Sequence, residues 1–403
     1  MPLKILFLTQ FMNHKNIDEF FSEISQSILD QYESELSKFA TQNKDASRLF
    51  KEPKDPRTPF ALDRDRILYS GAFRRYSGKT QVIYFASQLD EMLTSRIIHT
   101  LSVSQVARTI GKFLRLNDEL IEAIALSHDL GHSPFGHDGE KFLSQICVDH
   151  GIGEYHHHIQ SLHIVDHIAK KGRGLNLTFQ VRDGILSHDG EVHDQKLIPN
   201  SNKSESDLQD YIKTRRAGKY IDMMPNTLEG CVMRISDTIG YIGQDIEDAI
   251  RIGLIKRDDI PTDLRGLLGE TNGEIMDTLI KDVIYNSYER GYVSFSKEIS
   301  DALERLKDFN YKRIYLNEKL KADHEKIIYG FEVLFRLFLN DLERANRSSL
   351  IFQHFLNTKE KHYLDVTNNA EKVRDFVAGM TDRYYVEVLK ELTIPDIRLL
   401  NSE

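Results

Sequence analysis

The sequence predicts an all-α protein, and three observations carry that prediction. Apolar residues recur at three-and-four spacing along most of the chain, with few of the alternations that mark half-buried strands. Capping residues precede several of these stretches and glycines follow them. The chain has 403 residues, 40% hydrophobic and 29% charged, an ordinary globular composition with length enough for a large core.

Residues 1–56 are read as an N-terminal helical segment and a loop, because residues 44–59 are polar and hold three prolines. The stretch from Thr94 to Leu116 places Ile97, Leu101, Ala107, Ile110 and Leu114 on one stripe, which predicts an amphipathic helix. Asn117 is the expected N-cap of a helix through Leu130, with Asp118 and Glu119 in its favourable first turn. Gly131 stops that helix and Ser133-Pro134 turn the chain. A further helix is expected from His137 to about His150, ending at Gly151. Asn226 and Glu229 have the spacing of a capping box before a long helix reaching about Ile252. Residues 194–225, polar with Ser, Asn and charge, predict a loop, and Val293-Ser294-Phe295 a short strand. From Asp301 onward the pattern is helical again, with Phe331, Leu334, Phe335 and residues 337–339 as core.

The net charge of −9 argues against a dedicated nucleic-acid binder, yet leaves room for a local basic pocket. The two cysteines, Cys147 and Cys231, lie far apart, which excludes a disulfide scaffold or a cysteine zinc site and fits a reducing compartment. Met1 to Asn13 is apolar but lacks a small-residue cleavage site, and Gln10 interrupts it. The start is read as a cytoplasmic N-terminus, with no membrane span expected.

Histidine is unevenly placed. Twelve of the 16 lie between His99 and His193, which points to that segment as the chemical centre. Four His-Asp dipeptides occur, at 128–129, 137–138, 188–189 and 193–194. The pair His128-Asp129 stands at the end of an apolar helix, just before a glycine turn, where adjacent side chains can converge. With His99 upstream and Asp237 downstream, each on its own helix, it forms a mixed nitrogen and oxygen set for a divalent metal. Taken alone, His99 reads more readily as a satisfied core histidine and Asp237 as a solvated helix residue.

The segments Arg57-Thr58-Pro59-Phe60, Asp63-Arg64-Asp65-Arg66-Ile67, Ala72-Phe73-Arg74-Arg75 and Lys79-Thr80-Gln81-Val82 resemble the deoxyguanosine triphosphate triphosphohydrolase family of the HD superfamily. So do Arg96-Ile97-Ile98-His99, the run EAIALSHDLGHSPFGH at 122–137, the stretch from Leu228 to Asp237, and Ala378-Gly379-Met380-Thr381-Asp382-Arg383-Tyr384. The resemblance spans about residues 57 to 395, and the 122–137 block is its most specific part. It implies an HD-domain helical bundle over 57–260 with an additional helical region over 261–403 packed on it. It further implies hydrolysis of deoxynucleoside triphosphates (dGTP or several dNTPs) to deoxynucleoside and triphosphate. The competing readings are another HD phosphohydrolase, such as a 5′-nucleotidase or phosphodiesterase, and a nucleotide-binding regulator with a silent site. The 57–82 segments and the Ala-Gly-Met-Thr-Asp block count against the first, and the filled metal and catalytic positions against the second.

The resemblance assigns His99, His128, Asp129 and Asp237 to one divalent ion, for which Mn²⁺, Mg²⁺ and Fe²⁺ all suit a His/Asp set. It marks His137 and Glu140 as a catalytic pair, with Glu140 orienting His137, which either protonates the leaving oxygen or handles the attacking water. His132 follows the metal pair by four residues, so the turn returns it to the same cavity. Alignment on Gln160-Ser161 places a family active-site histidine at His157, with His158 where asparagine is usual. The triple histidine from His156 to His158 also raises a second metal as a weaker alternative. His188 is expected in a structural or supporting role.

Asp237, Tyr241 and Asp245 step by four residues, about 6 Å apart along a helix. The resemblance implies that Tyr241 packs on the nucleoside and Asp245 meets the sugar 3′-hydroxyl. Arg96 is the first choice for phosphate contact; Arg57, Arg74, Arg75 and Lys79 are weaker choices, and Gln81 is expected at the sugar or base. A homo-oligomer follows from the resemblance, as do a nucleotide activator and a single-stranded nucleic acid regulator known for some relatives, the last without support from the acidic balance.

Overall fold

A computed structural model describes residues 28–395, apart from Lys54, Ile83, 85–91 and 191–195. The start of the chain and the His193-Asp194 pair lie outside the described residues. Within them the protein is helical, without a strand: the segment expected as a strand makes only an isolated bridge between Val293 and Leu197.

The helices that position the site are α1 (Pro59–Leu68), α2 (Arg96–Leu114), α3 (Asp118–Ser127), α4 (Gly136–Asp149), α5 (His157–His163) and α6 (Phe179–Ser187). They are followed by α7 (Glu205–Arg216), α8 (Leu228–Ile242) and α9 (Gln244–Arg251). The C-terminal region adds α10 (Asn272–Ser287), α11 (Lys297–Asn310), α12 (His324–Glu343), α13 (Asn369–Ala378) and α14 (Asp382–Thr393). Helix α8 packs against α2 and α3, and α6 against α5, α3 and α8. Among the described residues no helix is long and apolar enough to cross a membrane.

Two apolar clusters flank this bundle. One gathers Val103, Ile124, Val181, Phe331 and Phe376; the other gathers Val106, Ile110, Ile121, Ile235, Ile239 and Leu303. Helices α2 and α8 contribute to both, and each fully buried Ile or Val side chain contributes about 1.5–3 kcal/mol. The face of α2 differs from the expected stripe. Ala107, Ile110 and Leu114 are buried, but Leu101 is exposed, because the first turns of α2 bury Arg96, His99 and Thr100 instead.

Asn117 caps α3 as expected, accepting from the Leu120 N–H at 3.2 Å, and α3 ends at Ser127, before the His-Asp pair. The capping box at Asn226 does not form. Thr227 is the N-cap of α8, while the Asn226 N–H donates to Asp183. Glu229 is fully buried and accepts from the Thr41 N–H at 2.9 Å, the Thr41 hydroxyl at 2.8 Å and the Asn117 N–H at 3.1 Å. This carboxylate therefore ties the N-terminal segment to the α2–α3 corner. Glu229→Ala leaves three donors without their acceptor and is expected to destabilise the fold by about 3 kcal/mol, and Glu229→Gln by less. The midpoint of urea unfolding reads this; an unchanged midpoint in the alanine variant refutes the tie.

The long helix expected to reach Ile252 is divided at Gly243 into α8 and α9. A side chain at Gly243 would meet the Asn272 amide oxygen at 2.6 Å, so α10 presses on the junction. Residues 205–216, expected in a loop, form α7: Ser204 and Asp207 close a capping box, but only Leu208 and Tyr211 are buried, too few to give a helical stripe in the sequence.

Candidate active site

The turn after α3 sets the site. Gly131 donates its N–H to Ser161 Oγ at 2.8 Å, and a side chain there would lie 2.2 Å from the His157 carbonyl oxygen. Only glycine lets this turn lie against α5. The Lys79 ammonium, buried, donates to the carbonyls of His132 and Ala378. Asp382, in the C-terminal block, accepts from the Phe135 N–H at 3.0 Å and from the Thr80 hydroxyl. The distant C-terminal motif thus braces the histidine turn.

His99 from α2, His128 and Asp129 from the turn, and Asp237 from α8 converge. His99 Nε2 lies 3.1 Å from Asp237 Oδ1 and 3.8 Å from Asp129 Oδ2, and His128 Nε2 lies 3.6 Å from Asp237 Oδ1 and 3.3 Å from Asp129 Oδ2. Edges of this length suit ligands about 2.0–2.2 Å from one ion. His128 Nδ1 donates to the Ala125 carbonyl at 2.7 Å, which turns the Nε2 lone pair into the site, where it has no hydrogen-bond partner. Burial raises both carboxyls, yet the neighbouring imidazoles (and, at Asp129, Arg96) hold them well below the usual carboxylate range. Without an ion, burial opposes a second proton on His128 but the charge of Asp129 overrides it and pushes the group up to about 10, so a cation at Nε2 would take the place of that proton. A pair of anionic oxygens and two imidazole nitrogens, aimed at one point and all but Asp237 buried, fits a divalent cation.

A second group adjoins it. Glu140 on α4 receives His157 Nδ1 at 3.0 Å and His137 Nδ1 at 3.1 Å. Burial raises Glu140, but the two histidines hold it well below its ordinary value. Burial lowers His157, and Glu140 more than reverses this, to about 9. The rings of His132 and His137 lie 5.0 Å apart, and His137 is the exposed member, its side chain 65% accessible. Burial and the Arg96 charge hold His132 well below the ordinary histidine value. The triple histidine divides: His157 faces the site, His158 bonds Tyr211 at 3.1 Å, and His156 bonds the Arg215 carbonyl at 3.2 Å.

Members of both groups (His128, fully buried, apart) line one cavity of about 720 Å³, together with Arg96, Gln81, Tyr241 and Asp245, a size usual for small-molecule sites. Arg96 is buried and pairs with Asp129; its other terminal nitrogen has no hydrogen-bond partner. The Gln81 amide oxygen is likewise without one. Asp237, Tyr241 and Asp245 share the lining despite the break at Gly243, because that residue keeps right-handed helical angles. Asp245 accepts from the Tyr315 hydroxyl at 2.5 Å; burial pushes it up to about 7.

Arg57 stands outside the cavity lining. It is half-exposed and pairs with Asp55 at 2.9 Å and Asp65 at 3.0 Å, so local acids hold it away. Arg74, Arg75 and Lys79 are also absent from the lining. Bases that the sequence reading passed over, Lys141, Arg215 and Lys321, take that place. Tyr315 was missed too, while His188, expected in a structural or supporting role, lines the cavity with its Nε2 3.2 Å from His157 Nε2. The His188-Asp189 dipeptide was the available signal.

Comparison with known proteins agrees with this geometry. The HD domain family matches residues 96–240, and the phosphohydrolase-associated domain matches residues 293–391. A deoxyguanosinetriphosphate triphosphohydrolase-like protein of Caldanaerobacter subterraneus subsp. tengcongensis is 40% identical, over 89% of this chain and 93% of its own. Proteins of the same description from Clostridium perfringens and Desulfatibacillum aliphaticivorans are 37% and 36% identical, over 90% and 86% of this chain and 94% and 91% of theirs. The chain therefore belongs to the deoxyguanosinetriphosphate triphosphohydrolase-like family of metal-dependent HD-domain phosphohydrolases.

Proposed function

We propose that the protein hydrolyses deoxynucleoside triphosphates to deoxynucleoside and intact triphosphate. The observation that carries this is the continuity of one cavity, which is lined by His99, Asp129 and Asp237 of the four-residue set and also by Tyr241, Asp245 and Tyr315. A reacting phosphorus beside the acidic set then has Tyr241, Asp245 and Tyr315 on the wall for the nucleoside and the basic side chains Arg96, Lys141 and Arg215 for the phosphates. That order suits attack at the α-phosphorus.

A divalent ion on the four ligands supplies Lewis-acid charge at the α-phosphate and acidifies water. In the reaction a water oxygen bonds to phosphorus and gives up a proton to solvent, the bond from phosphorus to the sugar 5′-oxygen breaks, and that oxygen takes up a proton. His137, held by Glu140 and open to the cavity, is placed to supply it. His132 and His157 pack beside it and keep its ring in place. The free terminal nitrogen of Arg96, with Lys141 and Arg215, serves the phosphates. Tyr241 offers a face to the nucleoside, Gln81 an acceptor, and Asp245 an acceptor for the 3′-hydroxyl. Tyr315, bonded to Asp245, narrows the sugar edge against a 2′-hydroxyl.

The test is product analysis with each of the four dNTPs and GTP, in Mn²⁺ or Mg²⁺. Deoxynucleoside and triphosphate are expected from at least one dNTP, with GTP slower by about tenfold or more. Pyrophosphate or orthophosphate release would mean that another bond is cut and that the α-phosphate does not lie at the acidic set. Mixtures of dNTPs extend the assay to a nucleotide activator.

A further inference from the structure

We infer that Asp138 is a positioning residue for the nucleoside end of the cavity: it ties residues 315–321, which form part of that wall, to the helix that carries His137 and Glu140. What the wall receives rests on the function proposed above; the tie itself does not.

Asp138 belongs to one of the four His-Asp pairs of the sequence, and neither the cation set nor the catalytic pair uses it. It stands in the first turn of α4, where an acid suits the helix dipole. Its contacts go beyond that. Oδ2 accepts from the Tyr84 hydroxyl and from the Lys321 ammonium, donors from segments before and after α4 in the chain. His324 Nε2 lies 3.8 Å from Oδ1, and Lys141 Nζ, on the same helix, 3.9 Å. Burial raises the Asp138 carboxyl, yet Lys321 and Tyr84 hold it below its ordinary value. The Tyr84 ring packs edge-on to Phe135, centroids 5.7 Å apart, so that donor stays with the start of α4. Lys321 is the arm that reaches α4 from the C-terminal region. At 13% and 28% side-chain exposure, this charge-assisted pair is screened less than a surface ion pair.

Residues 315–321 span the wall between two carboxylates. At one end the Tyr315 hydroxyl donates to Asp245 at 2.5 Å; at the other Lys321 meets Asp138. Tyr315, Leu316, Leu320 and Lys321 all line the cavity. Packing does little to hold this stretch. Leu316 is exposed, no residue of the 3₁₀ turn Glu318–Lys321 is buried, and Leu320 packs only in part, beside Leu93. The chain next grips α4 at His324, whose ring meets that of Phe142 at 4.6 Å. The pair of Lys321 and Asp138 therefore sets how far the stretch stands from the His137 helix, and with it the space left for a base beside Tyr241.

The tie is read first without nucleotide. The chain has no tryptophan, so Leu316→Trp supplies a single emitter within the stretch. In that background Asp138→Asn and Lys321→Met are each expected to raise acrylamide quenching about twofold, while Lys321→Arg, which keeps the charge, stays near the parent value. Unchanged quenching in Asp138→Asn and Lys321→Met overturns the tie, and Lys321→Met decides alone if Asp138→Asn fails to fold. The consequence is read in proteins that keep Leu316, with the dNTP turned over fastest. Asp138→Asn and Lys321→Met should each raise KM about tenfold with kcat within about threefold, and the double variant no further than either. A fall in kcat at unchanged KM overturns the inference, because Asp138 would then act through His137. A fall in KM overturns it as well, because the pair would then hold Lys321 away from substrate. Pyrophosphate release by the wild type refutes the proposed reaction and leaves the tie to the quenching result; triphosphate release with unchanged quenching and KM does the converse.

Discussion

Asp129→Ala is expected to abolish cation binding and to lower kcat by at least about 10³-fold, since Lewis-acid stabilisation by a catalytic metal is worth several kcal/mol. Asp129 touches more of the site than any other ligand: His128 at 3.3 Å, His132 at 3.1 Å, His99 at 3.8 Å, and Arg96 in an ion pair. Its loss also strands the Arg96 guanidinium, buried beside the His132 imidazole, and removing one member of a buried pair costs about 3–5 kcal/mol. Loss of activity in the alanine variant could therefore come from unfolding. Asp129→Asn separates the two effects, because the amide keeps the shape and one oxygen acceptor but not the charge. Both variants should lose metal by elemental analysis, while the asparagine variant keeps more of the wild-type melting temperature. Retained metal and retained turnover in either would remove Asp129 from the centre.

The same residue shows why part of the site is legible in the sequence. His128-Asp129 closes an apolar helix and precedes a glycine turn, so its convergence is a local property that spacing reveals. Tyr241 and Asp245 are legible because helical periodicity carries through right-handed angles at Gly243. His188 and Tyr315 are not, because each reaches the cavity from a segment whose approach is decided by packing elsewhere. His188 arrives on α6 against α5 and α8, and Tyr315 follows α11, which packs in the second apolar cluster. Arg57 shows the opposite error. A basic residue inside a family motif suggests phosphate, but two nearby carboxylates claim it first. The fold class was legible in the helical period, whereas α7 and the Thr227 cap were not. The first buries too little to print a stripe, and at the second a buried carboxylate imitates a capping box.

Glu140→Gln is the second large effect expected. It should lower kcat by about 10²–10⁴-fold, the usual contribution of a positioned acid or base, while leaving the ion on His99, His128, Asp129 and Asp237 in place. The reason is that one carboxylate serves two imidazoles, His137 at 3.1 Å and His157 at 3.0 Å. A neutral amide can accept from one ring through its oxygen but turns its NH₂ toward the other, so at least one imidazole must rotate or change tautomer. His157 should move furthest: burial lowers its affinity for a proton, and Glu140 is the main charge that lifts it to about 9. Without that charge its titration falls toward neutral pH or below. His137→Ala should cost a similar factor, and the double variant little more than either single one, because residues that act as a unit do not add. The measurement is kcat for the two singles and the double, with metal content on each. Multiplied losses in the double variant would mean that Glu140 and His137 act independently, and Glu140 would then be left with the support of His157 as its role.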